Sequence, residues 1–568
     1  MKSTDLLQLG FFIILFVLLA RPAGRYMAAV YTGKRTWLDP VLNPLERLFY
    51  KLSGVDPNHE MGWWEYAATV MVFNIAGIVL LFVIQLVQGH LPFNPQHFPS
   101  VKWDLALNTA VSFVTNTNWQ NYGGESTMSH LTQMAGLTVQ NFLSAATGMA
   151  VLVALIRGLI RRQASSLGNF WVDLTRSVLW ILLPISIIFA LVFASQGVIQ
   201  TLRPYVTAQT LEGARQTIAV GPVASQEAIK MLGSNGGGFF NANSAHPFEN
   251  PSPLTNLLAM LAIMLIPAGL VITYGHMVGD RRQGHAIFGA MLIMFVIFLG
   301  VSYCSEATGN PLISALHVSS PTAMEGKEVR FGITDSALFV TATTAVANGA
   351  VNAMHDSLTP LSGFIAMLQI KLGEIVFGGV GCGLYGMLVF VFLTVFIIGL
   401  MVGRTPEYLG KKIESMEIKM GILAVLLPSA CILIGAAIAC VTRVGTSSVL
   451  NPGPHGLSEI LYAFASAAGN NGSAFAGLNG NTLFYNLGLA FNMFVGRYGV
   501  LIPVLAIAGS MMQKKTIPPG PGTFQTTGAF FAVLLAAVVL IVGALTFFPA
   551  LALGPLVEHL LMWSGKVF

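Results

Sequence analysis

The chain has 568 residues, of which 54% are hydrophobic and only 9% are charged, and its mean hydropathy is +0.70. Because soluble domains carry about 25% charged residues, this composition excludes a mainly soluble protein and predicts an integral membrane protein. The formal net charge is +5, and the basic residues gather in short loops, which favours a membrane topology signal over nucleic-acid binding.

Ten apolar runs are candidates for membrane-spanning helices, which need about 20 mostly apolar residues. They centre on Leu6–Leu19, Tyr66–Val87, Met134–Arg157, Val178–Phe193, Leu257–Tyr274, Ile287–Tyr303, Leu361–Met401, Met420–Val441, Tyr485–Met511 and Phe530–Phe548. Basic residues follow every second run, beginning with the first. Since positively charged loops stay in the cytoplasm, both chain termini are predicted to be periplasmic.

Four short polar segments recur about every 120 residues, each between two of these apolar runs. Each is predicted to follow a helix of about ten residues whose N-cap is Asp104, Ser225, Asp335 or Ser458. We number the four polar turns in chain order: turn I is residues 115–120, turn II is 234–239, turn III is 344–349 and turn IV is 469–473. We expect an all-α membrane protein in which four helix–pore-loop–helix units surround a central pore.

The expected units have simple boundaries along the chain. Residues 1–60 form a leading helix and loop, residues 61–165, 166–282, 283–415 and 416–515 form the four pore repeats, and residues 516–568 form a trailing helix.

The composition of the four turns suits a monovalent cation. Gly and Asn tolerate left-handed backbone angles, and each short helix directs its partially negative C-terminal end toward its turn. Rings of backbone carbonyls replace the hydration shell of the ion in potassium filters. None of the turns contains an acidic side chain, which disfavours a divalent site. The alternative is four unrelated surface loops, which the fourfold repetition disfavours.

A glycine-rich run, residues 378–386, interrupts the long apolar stretch of the third repeat. Its Gly378, Gly381 and Gly383 predict a broken helix that acts as a gate. Close helix packing by small residues is the alternative. The run also matches G-x-G-x-x-G, but a dinucleotide site requires a preceding strand in a soluble βαβ unit, and the flanking sequence is membrane-like.

Charges at mid-bilayer are functional candidates because each costs about 2.5–3.5 kcal/mol to insert. Lys371 and Glu374 lie next to the glycine run and are expected to pair with each other. Arg497, within the last helix of the fourth repeat, is a candidate electrostatic barrier to free cation flow, with snorkelling or a structural ion pair as the alternative. Arg404 is grouped with these gate or barrier positions.

The chain has neither a G-x-x-x-x-G-K-[ST] loop nor an Asp-Lys-Thr-Gly phosphorylation segment. It is therefore predicted not to be an enzyme by itself: alone it equilibrates an ion but does not use ATP to concentrate one.

Several motifs resemble the potassium-binding subunit family (KdpA) of the bacterial Kdp potassium-transporting ATPases. They are residues 231–243, 246–250, 403–412 and 470–475. The resemblance implies an inner-membrane complex with a P-type ATPase subunit (KdpB) and two smaller subunits (KdpC and KdpF). It also implies that K⁺ is selected from the periplasmic side and passed to the ATPase subunit, which uses ATP and Mg²⁺.

The resemblance also implies which residues bind potassium. They are Asn116, Thr117, Asn118, Ser234, Asn235, Gly236, Ala347, Asn348, Gly349, Asn470, Asn471 and Gly472. Gln120 matches a position beside the filter that influences affinity. Two departures from the family pattern are Asn348, where a cysteine is expected, and Gly469, where an asparagine is common.

The function expected from the sequence is thus a potassium-binding, translocating subunit of an ATP-driven, high-affinity uptake complex. One alternative is an autonomous channel or symporter of the superfamily of potassium transporters, to which the resembled family belongs. Another is a membrane-embedded enzyme acting on lipid-linked substrates, which needs a cluster of titratable groups at one depth that the sequence does not indicate.

Overall fold

The computed structural model describes residues 3–316, 323–518 and 523–566, and these residues are mostly helical. In chain order the α-helices are α1 (Ser3–Tyr31), α2 (Asp39–Ser53), α3 (Trp63–Val87), α4 (Trp103–Val114), α5 (Gly124–Thr127), α6 (Val139–Ile160), α7 (Phe170–Arg176), α8 (Leu183–Ser195), α9 (Val223–Leu232), α10 (Pro253–Val278), α11 (Arg281–Thr308), α12 (Pro311–Ala315), α13 (Gly332–Ala345), α14 (Pro360–Lys371), α15 (Cys382–Val402), α16 (Ser415–Val441), α17 (Arg443–Thr446), α18 (Gly453–Gly469), α19 (Leu483–Gln513), α20 (Ala529–Leu551) and α21 (Val557–Trp563).

Shorter elements join some of these helices. The π-helical segments are Thr132–Thr138, Ser177–Leu182 and Ala552–Leu556, and the 3₁₀ turns are Gln88–His90, Asn243–Ala245 and His355–Ser357. Two small antiparallel hairpins pair β1 (Val206–Gln209) with β2 (Arg215–Ile218) and β3 (Glu407–Tyr408) with β4 (Lys411–Lys412).

Among the described residues, ten helical segments are long and apolar enough to cross a membrane, which confirms the number expected from the sequence. Four short helices, α4, α9, α13 and α18, each lie between two of these long segments in chain order. We call the membrane face that carries the basic loops the basic-loop face; the four short helices begin near the opposite face.

The long helices form an inner and an outer set. Each spanning segment contains an apolar stretch of 18 residues. In the segments that follow the four short helices, 83%, 83%, 61% and 67% of this stretch is buried in the protein. In the segments that precede them, only 22%, 33%, 56% and 28% are buried. A membrane helix with a low buried fraction presents its apolar side chains to lipid. The helices that follow the short helices (α6, α10, α15 and α19) therefore surround the centre of the molecule.

Small residues let the inner helices approach the short ones closely. A Cβ atom added to Gly496 of α19 would lie 2.0 Å from the carbonyl oxygen of Ala468 in α18. The polar turn after α18 is thus fixed against an inner helix by backbone-to-backbone packing.

The predicted run Leu361–Met401 is not one span. It is divided into α14 and α15 by residues 372–381, and only Cys382–Val402 is long and apolar enough to span. Gly373, Gly378 and Gly381 have φ angles of 88°, 66° and 88° in this break. Such angles are incompatible with a continuous right-handed helix, which explains the interruption.

The predicted N-caps of the four short helices are wrong. Each of these helices begins before the predicted residue, and none of the actual N-cap residues makes a side-chain capping bond. Pro454 lies in the first turn of α18, a position that suits proline because its ring already fixes a helical φ. Asp104 lies in the first turn of α4, where its charge favours the positive end of the helix dipole.

Candidate ion-binding site

The four polar turns meet at the centre of the molecule, where hydrogen bonds join turn I to turn II and turn II to turn III. Nδ2 of Asn116 donates to the Ser234 carbonyl at 2.9 Å. The backbone N–H of Gly349 donates to the Asn235 carbonyl at 3.0 Å. Because these three turns are separated by more than 100 residues along the chain, only the fold brings them together.

Hydrogen bonds from turn IV close the ring. Nδ2 of Asn471 donates to the Asn348 carbonyl of turn III at 3.1 Å. Nδ2 of Asn470 donates to Oγ1 of Thr117 in turn I at 2.9 Å. All four turns therefore form one closed, buried ring, as the sequence predicted for a common pore axis.

The backbone of each turn contains a left-handed residue directly after or one residue beyond its short helix. These residues are Asn116, Ser234, Ala347 and Asn470, with φ between 51° and 68°. Two positions later, Asn118, Gly236 and Gly472 are left-handed as well, with φ of 56°, 101° and 95°. A left-handed residue that alternates with an ordinary one turns successive peptide groups so that their carbonyls face the same side, as in the carbonyl rings of potassium filters.

Left-handed backbone is costly at non-glycine residues, by about 1–2 kcal/mol each. Ser234 and Ala347 have neither the free rotation of glycine nor the local hydrogen bonding of asparagine, yet both are left-handed and fully buried. Such strain persists where the surrounding structure imposes it, and it is concentrated at functional sites. The ring is therefore a candidate site on backbone geometry alone.

Four of the twelve carbonyls singled out from the sequence already accept hydrogen bonds from the protein. They belong to Ser234, Asn235, Gly236 and Asn348. Within the described residues the other eight have no such donor, and they belong to Asn116, Thr117, Asn118, Ala347, Gly349, Asn470, Asn471 and Gly472. All eight of these unengaged oxygens belong to turns I, III and IV, which therefore offer them for a cation.

Two of the glycines in the ring are required because the backbones of neighbouring turns approach them closely. A Cβ atom on Gly236 would lie 2.0 Å from the backbone nitrogen of Gly349, and one on Gly472 would lie 2.1 Å from the Thr117 carbonyl oxygen. Both distances are far below van der Waals contact, so a side chain at either position must displace the neighbouring turn.

Gln120 joins turn I to turn II. Its Nε2 donates to the Gly238 carbonyl at 3.1 Å, and its Oε1 accepts from the Gly238 N–H at 3.0 Å. Gln120 thus lies beside the ring and holds one backbone residue of turn II through both of its polar groups.

A buried ionic cluster behind turn II was missed by the sequence analysis. Nζ of Lys230, in α9, lies 2.7 Å from a carboxylate oxygen of Glu227, contacts the carboxylate of Glu249 and donates to Oδ1 of Asn243 at 2.9 Å. Nδ2 of Asn243 in turn donates to the Gly236 carbonyl at 2.7 Å. The position of Lys230 in the middle of a re-entrant helix could have indicated this cluster, since a charge at membrane depth is a functional candidate.

The glycine break lies directly beneath the ring. The N–H of Gly378 donates to the carbonyl of Ala345, the last residue of α13, at 3.1 Å. A Cβ atom on Gly148 of α6 would lie 2.3 Å from the Val380 carbonyl oxygen. Gly381 is the residue before α15, and Gly383 is the second residue of that helix. The break is therefore packed between α13 and α6.

The predicted pair of Lys371 and Glu374 does not form. No ion pair joins them among the described residues, and Nζ of Lys371 has no hydrogen-bond partner there. Lys371 is the last residue of α14, whereas Glu374 follows the helix with a left-handed φ of 51°. The helical i, i+3 geometry that would bring them together therefore ends between them.

Lys371, Glu374 and Arg497 line one cavity of about 90 Å³ that extends from Asn470 of turn IV toward α16 and α20. Nη2 of Arg497 donates to the carbonyl of Ser144 at 3.0 Å. No carboxylate pairs with Arg497 among the described residues, so the alternative of a structural ion pair is wrong.

Arg404 lies apart from this region. It is exposed and follows the C-cap of α15. Because a 21-residue helix is about 30 Å long, Arg404 is separated from the glycine break by the length of α15.

A second cluster lies near the opposite face, where Nδ1 and Nε2 of His455 are 2.8 Å from Glu558 and 3.1 Å from Asp356. Ligand atoms of Asp356, His455 and Glu459 lie within 4.8 Å of one another. Burial opposes the charged ring, but hydrogen bonds to Asp356 and Glu558 raise the pKa of His455 to about 10. Since both ring nitrogens then donate, the ring has no lone pair for a metal, and we interpret the cluster as an ionic clamp.

Replacing His455 by glutamine is expected to lower the melting temperature (Tm) of the purified protein by a few degrees at pH 6. Because the folded-state pKa lies above the ordinary value of 6.5, the stabilisation is fully present below pH 6.5 and is lost as the pH rises through about 10. Thermal unfolding at pH 6, 8 and 10 measures this, with the exposed His90→Gln as the control. A Tm difference that is the same at every pH would contradict the charged clamp.

Comparisons with known proteins agree with this geometry. The family model described as "Potassium-transporting ATPase A subunit" matches residues 10–560. The protein named "Potassium-transporting ATPase potassium-binding subunit" from Sorangium cellulosum is 57% identical, with 99% of this chain and 100% of that protein covered. The protein of the same name from Brucella anthropi is 58% identical, with 99% of each chain covered.

Among solved structures, the potassium transporter TrkH from Vibrio parahaemolyticus superposes with a TM-score of 0.50. It covers 86% of this chain and 96% of its own, at 14% sequence identity, so this likeness concerns the fold alone. The family match extends over nearly the whole chain, as the sequence motifs predicted, and the chain therefore belongs to the family of potassium-transporting ATPase A subunits.

Proposed function

We propose that this chain is the potassium-binding and translocating subunit of an ATP-driven, high-affinity uptake complex in the bacterial inner membrane. The observation that carries the proposal is the closed ring of four turns, each with a left-handed residue after its short helix and three of them with a second one two positions later. The relatives, which are named as potassium-binding subunits of a transporting ATPase, support it. The twelve turn residues named above coordinate K⁺, mainly through backbone oxygens.

The chemistry of the ring favours K⁺ over a divalent ion. Calcium sites use several carboxylates, whereas carbonyl rings suit a dehydrated monovalent cation. The full charges behind turn II, on Lys230, Glu227 and Glu249, are engaged with one another. The four turns thus stabilise the ion through dipoles, and the cluster behind them positions the backbone.

For the hand-off, K⁺ passes the ring, enters the cavity lined by Glu374 and leaves toward the P-type ATPase subunit, KdpB. The cavity reaches from Asn470 to Phe547 of α20, which supports a lateral exit. Arg497 raises the barrier to continued flow along the pore axis, and the break that contains Gly378 gates it. KdpC and KdpF complete the complex, and KdpB uses ATP and Mg²⁺.

The topology follows from the same proposal. The leading helix, the four repeats and the trailing helix have the boundaries expected from the sequence, both termini lie in the periplasm, and the basic loops lie in the cytoplasm.

The test is potassium transport by the purified chain with and without its partner subunits. In vesicles, the complete complex is expected to accumulate K⁺ and to show K⁺-stimulated ATP hydrolysis, whereas the chain alone carries no robust flux. Robust K⁺ flux by the chain alone would favour an autonomous channel or symporter instead. K⁺-independent hydrolysis by an assembled complex would contradict the proposed coupling.

Replacing Gln120 by alanine is expected to raise the K⁺ concentration that half-saturates ATP hydrolysis about tenfold. This corresponds to a loss of about 1.4 kcal/mol in binding free energy. The variant removes both hydrogen bonds to Gly238, so turn II loses one of its links to turn I and keeps the one from Asn116. The matched control is Gln209→Ala, on the exposed hairpin strand β1. An unchanged half-saturating concentration in Gln120→Ala would remove this residue from the site.

A further inference from the structure

Helix α2 carries an apolar face that no other described residue covers. Its residues Val41, Leu45, Leu48, Phe49 and Leu52 are between 46% and 78% exposed. Trp37, just before the helix, is 77% exposed. Soluble surfaces rarely present so many large apolar side chains together, so this face is expected to have an occupant.

The helix is firmly attached to the protein by its inner side. Leu42, Glu46 and Tyr50 are buried. The Glu46 carboxylate accepts a hydrogen bond from Nε1 of Trp180 at 2.7 Å and pairs with Arg176 at 3.1 Å. The exposed apolar face therefore has a fixed orientation and is not the result of a loosely packed helix.

The position of α2 places it at the membrane boundary. It connects α1, which ends at Tyr31, to α3, which begins at Trp63, and both of these helices span the membrane. The flanking loop is tied to neighbouring helix ends through Glu60 and Arg161. α2 thus lies on the basic-loop face, level with the ends of the spanning helices.

Charge complementarity identifies the occupant. At about 100° per residue, the apolar residues, the buried residues and the basic residues Arg47 and Lys51 occupy three separate sectors of α2. Arg47 and Lys51 are exposed, as are Lys34 and Arg35 in the preceding loop. An apolar sector beside a basic one is typical of a helix that lies in the plane of an anionic membrane surface.

We infer that α2 is an interfacial helix that inserts its apolar face among the lipids of the basic-loop leaflet and binds anionic phospholipid through Arg47 and Lys51. Leu48 and Leu52 enter the acyl-chain boundary, and the two basic side chains reach the phosphate groups. This inference is independent of the ion-binding ring and of its proposed function.

The test measures the depth of α2 in lipid nanodiscs. An environment-sensitive fluorophore is attached to Leu48→Cys of the full-length chain, alone and in its assembled complex. Because Cys304 is exposed, the background carries Cys304→Ser, and its residual labelling is subtracted. The matched control is Leu211→Cys, since Leu211 is fully exposed in the hairpin on the opposite face.

Quenching by lipids brominated near the glycerol end of the acyl chain is expected to be about threefold stronger at position 48 than at position 211. Quenching by aqueous iodide should show the reverse order. Iodide access at position 48 equal to that at position 211 would overturn the inference. Protection from both quenchers in the complex would also overturn it, because a partner protein would then cover the face.

A separate experiment tests the proposed preference of α2 for anionic lipid. Replacing 30% of phosphatidylcholine by phosphatidylglycerol is expected to increase lipid quenching at position 48, and the effect should disappear in Arg47→Gln/Lys51→Gln. An equal response in that double variant, or no response in the parent, would exclude recognition of anionic lipid by these side chains.

Discussion

Valine in place of Gly236 is expected to raise the K⁺ concentration that half-saturates transport about 100-fold, which corresponds to about 2.8 kcal/mol. The added Cβ would lie 2.0 Å from the Gly349 nitrogen and 2.3 Å from that of Ala350. The φ of 101° at this position is also unfavourable for a β-branched residue. Turns II and III must therefore separate, and the ring loses its geometry.

The measurement is the K⁺ dependence of ATP hydrolysis by the purified complex, after size-exclusion chromatography has confirmed assembly. Gly300→Val is the matched control, because Gly300 lies in α11 with nothing within 4 Å of its added Cβ. An assembled Gly236→Val complex with the parent K⁺ affinity would remove Gly236 from the binding ring.

Methionine in place of Lys230 is expected to destabilise the protein by about 3–5 kcal/mol, the usual cost of breaking a buried ion pair. Glu227 and Glu249, which are both buried, would lose their only cation among the described residues. Asn243 would also lose the hydrogen bond that holds it against the Gly236 carbonyl. We therefore expect a lower Tm and, in the protein that still assembles, weaker K⁺ binding.

A double variant separates these two effects. Lys230→Met/Glu249→Gln restores the formal charge of the cluster, since one cation and two anions give −1 and the remaining Glu227 also gives −1. It should recover much of the stability but not the K⁺ affinity, because Asn243 still lacks its donor. Lys412→Met, at an exposed position, controls for the loss of a lysine. Parent stability and affinity in Lys230→Met would refute the role of this cluster.

The sequence was most informative about features that are encoded locally. The number of spans followed from the lengths of the apolar runs, and the four turns were found from their Gly and Asn residues and their repetition. All four initial left-handed residues are among the twelve positions expected from the sequence to bind potassium. The interruption at the glycine run was also predicted, although it begins at residue 372, before Gly378.

Two predictions were wrong because they applied a rule for neighbouring residues to a position where the backbone of the folded protein takes another course. Asp335 and Ser458 were expected as N-caps, but α13 and α18 begin earlier and continue through them. Lys371 and Glu374 were expected to pair because of their spacing, but the chain leaves the helix between them. In the second case the left-handed Gly373, with a φ of 88°, prevents the helix from continuing to Glu374.

By itself the sequence determined that the chain is a membrane protein of ten spans with four polar turns, and it indicated the family. Only the tertiary structure decided that these turns form one ring, which carbonyls are already engaged, and that Lys230 reaches Gly236 through Asn243. Hydropathy and backbone preference are properties of neighbouring residues and can be recognised in any window of the chain. A contact such as that between Asn470 and Thr117 joins residues 353 positions apart, and it exists only after the helices have packed.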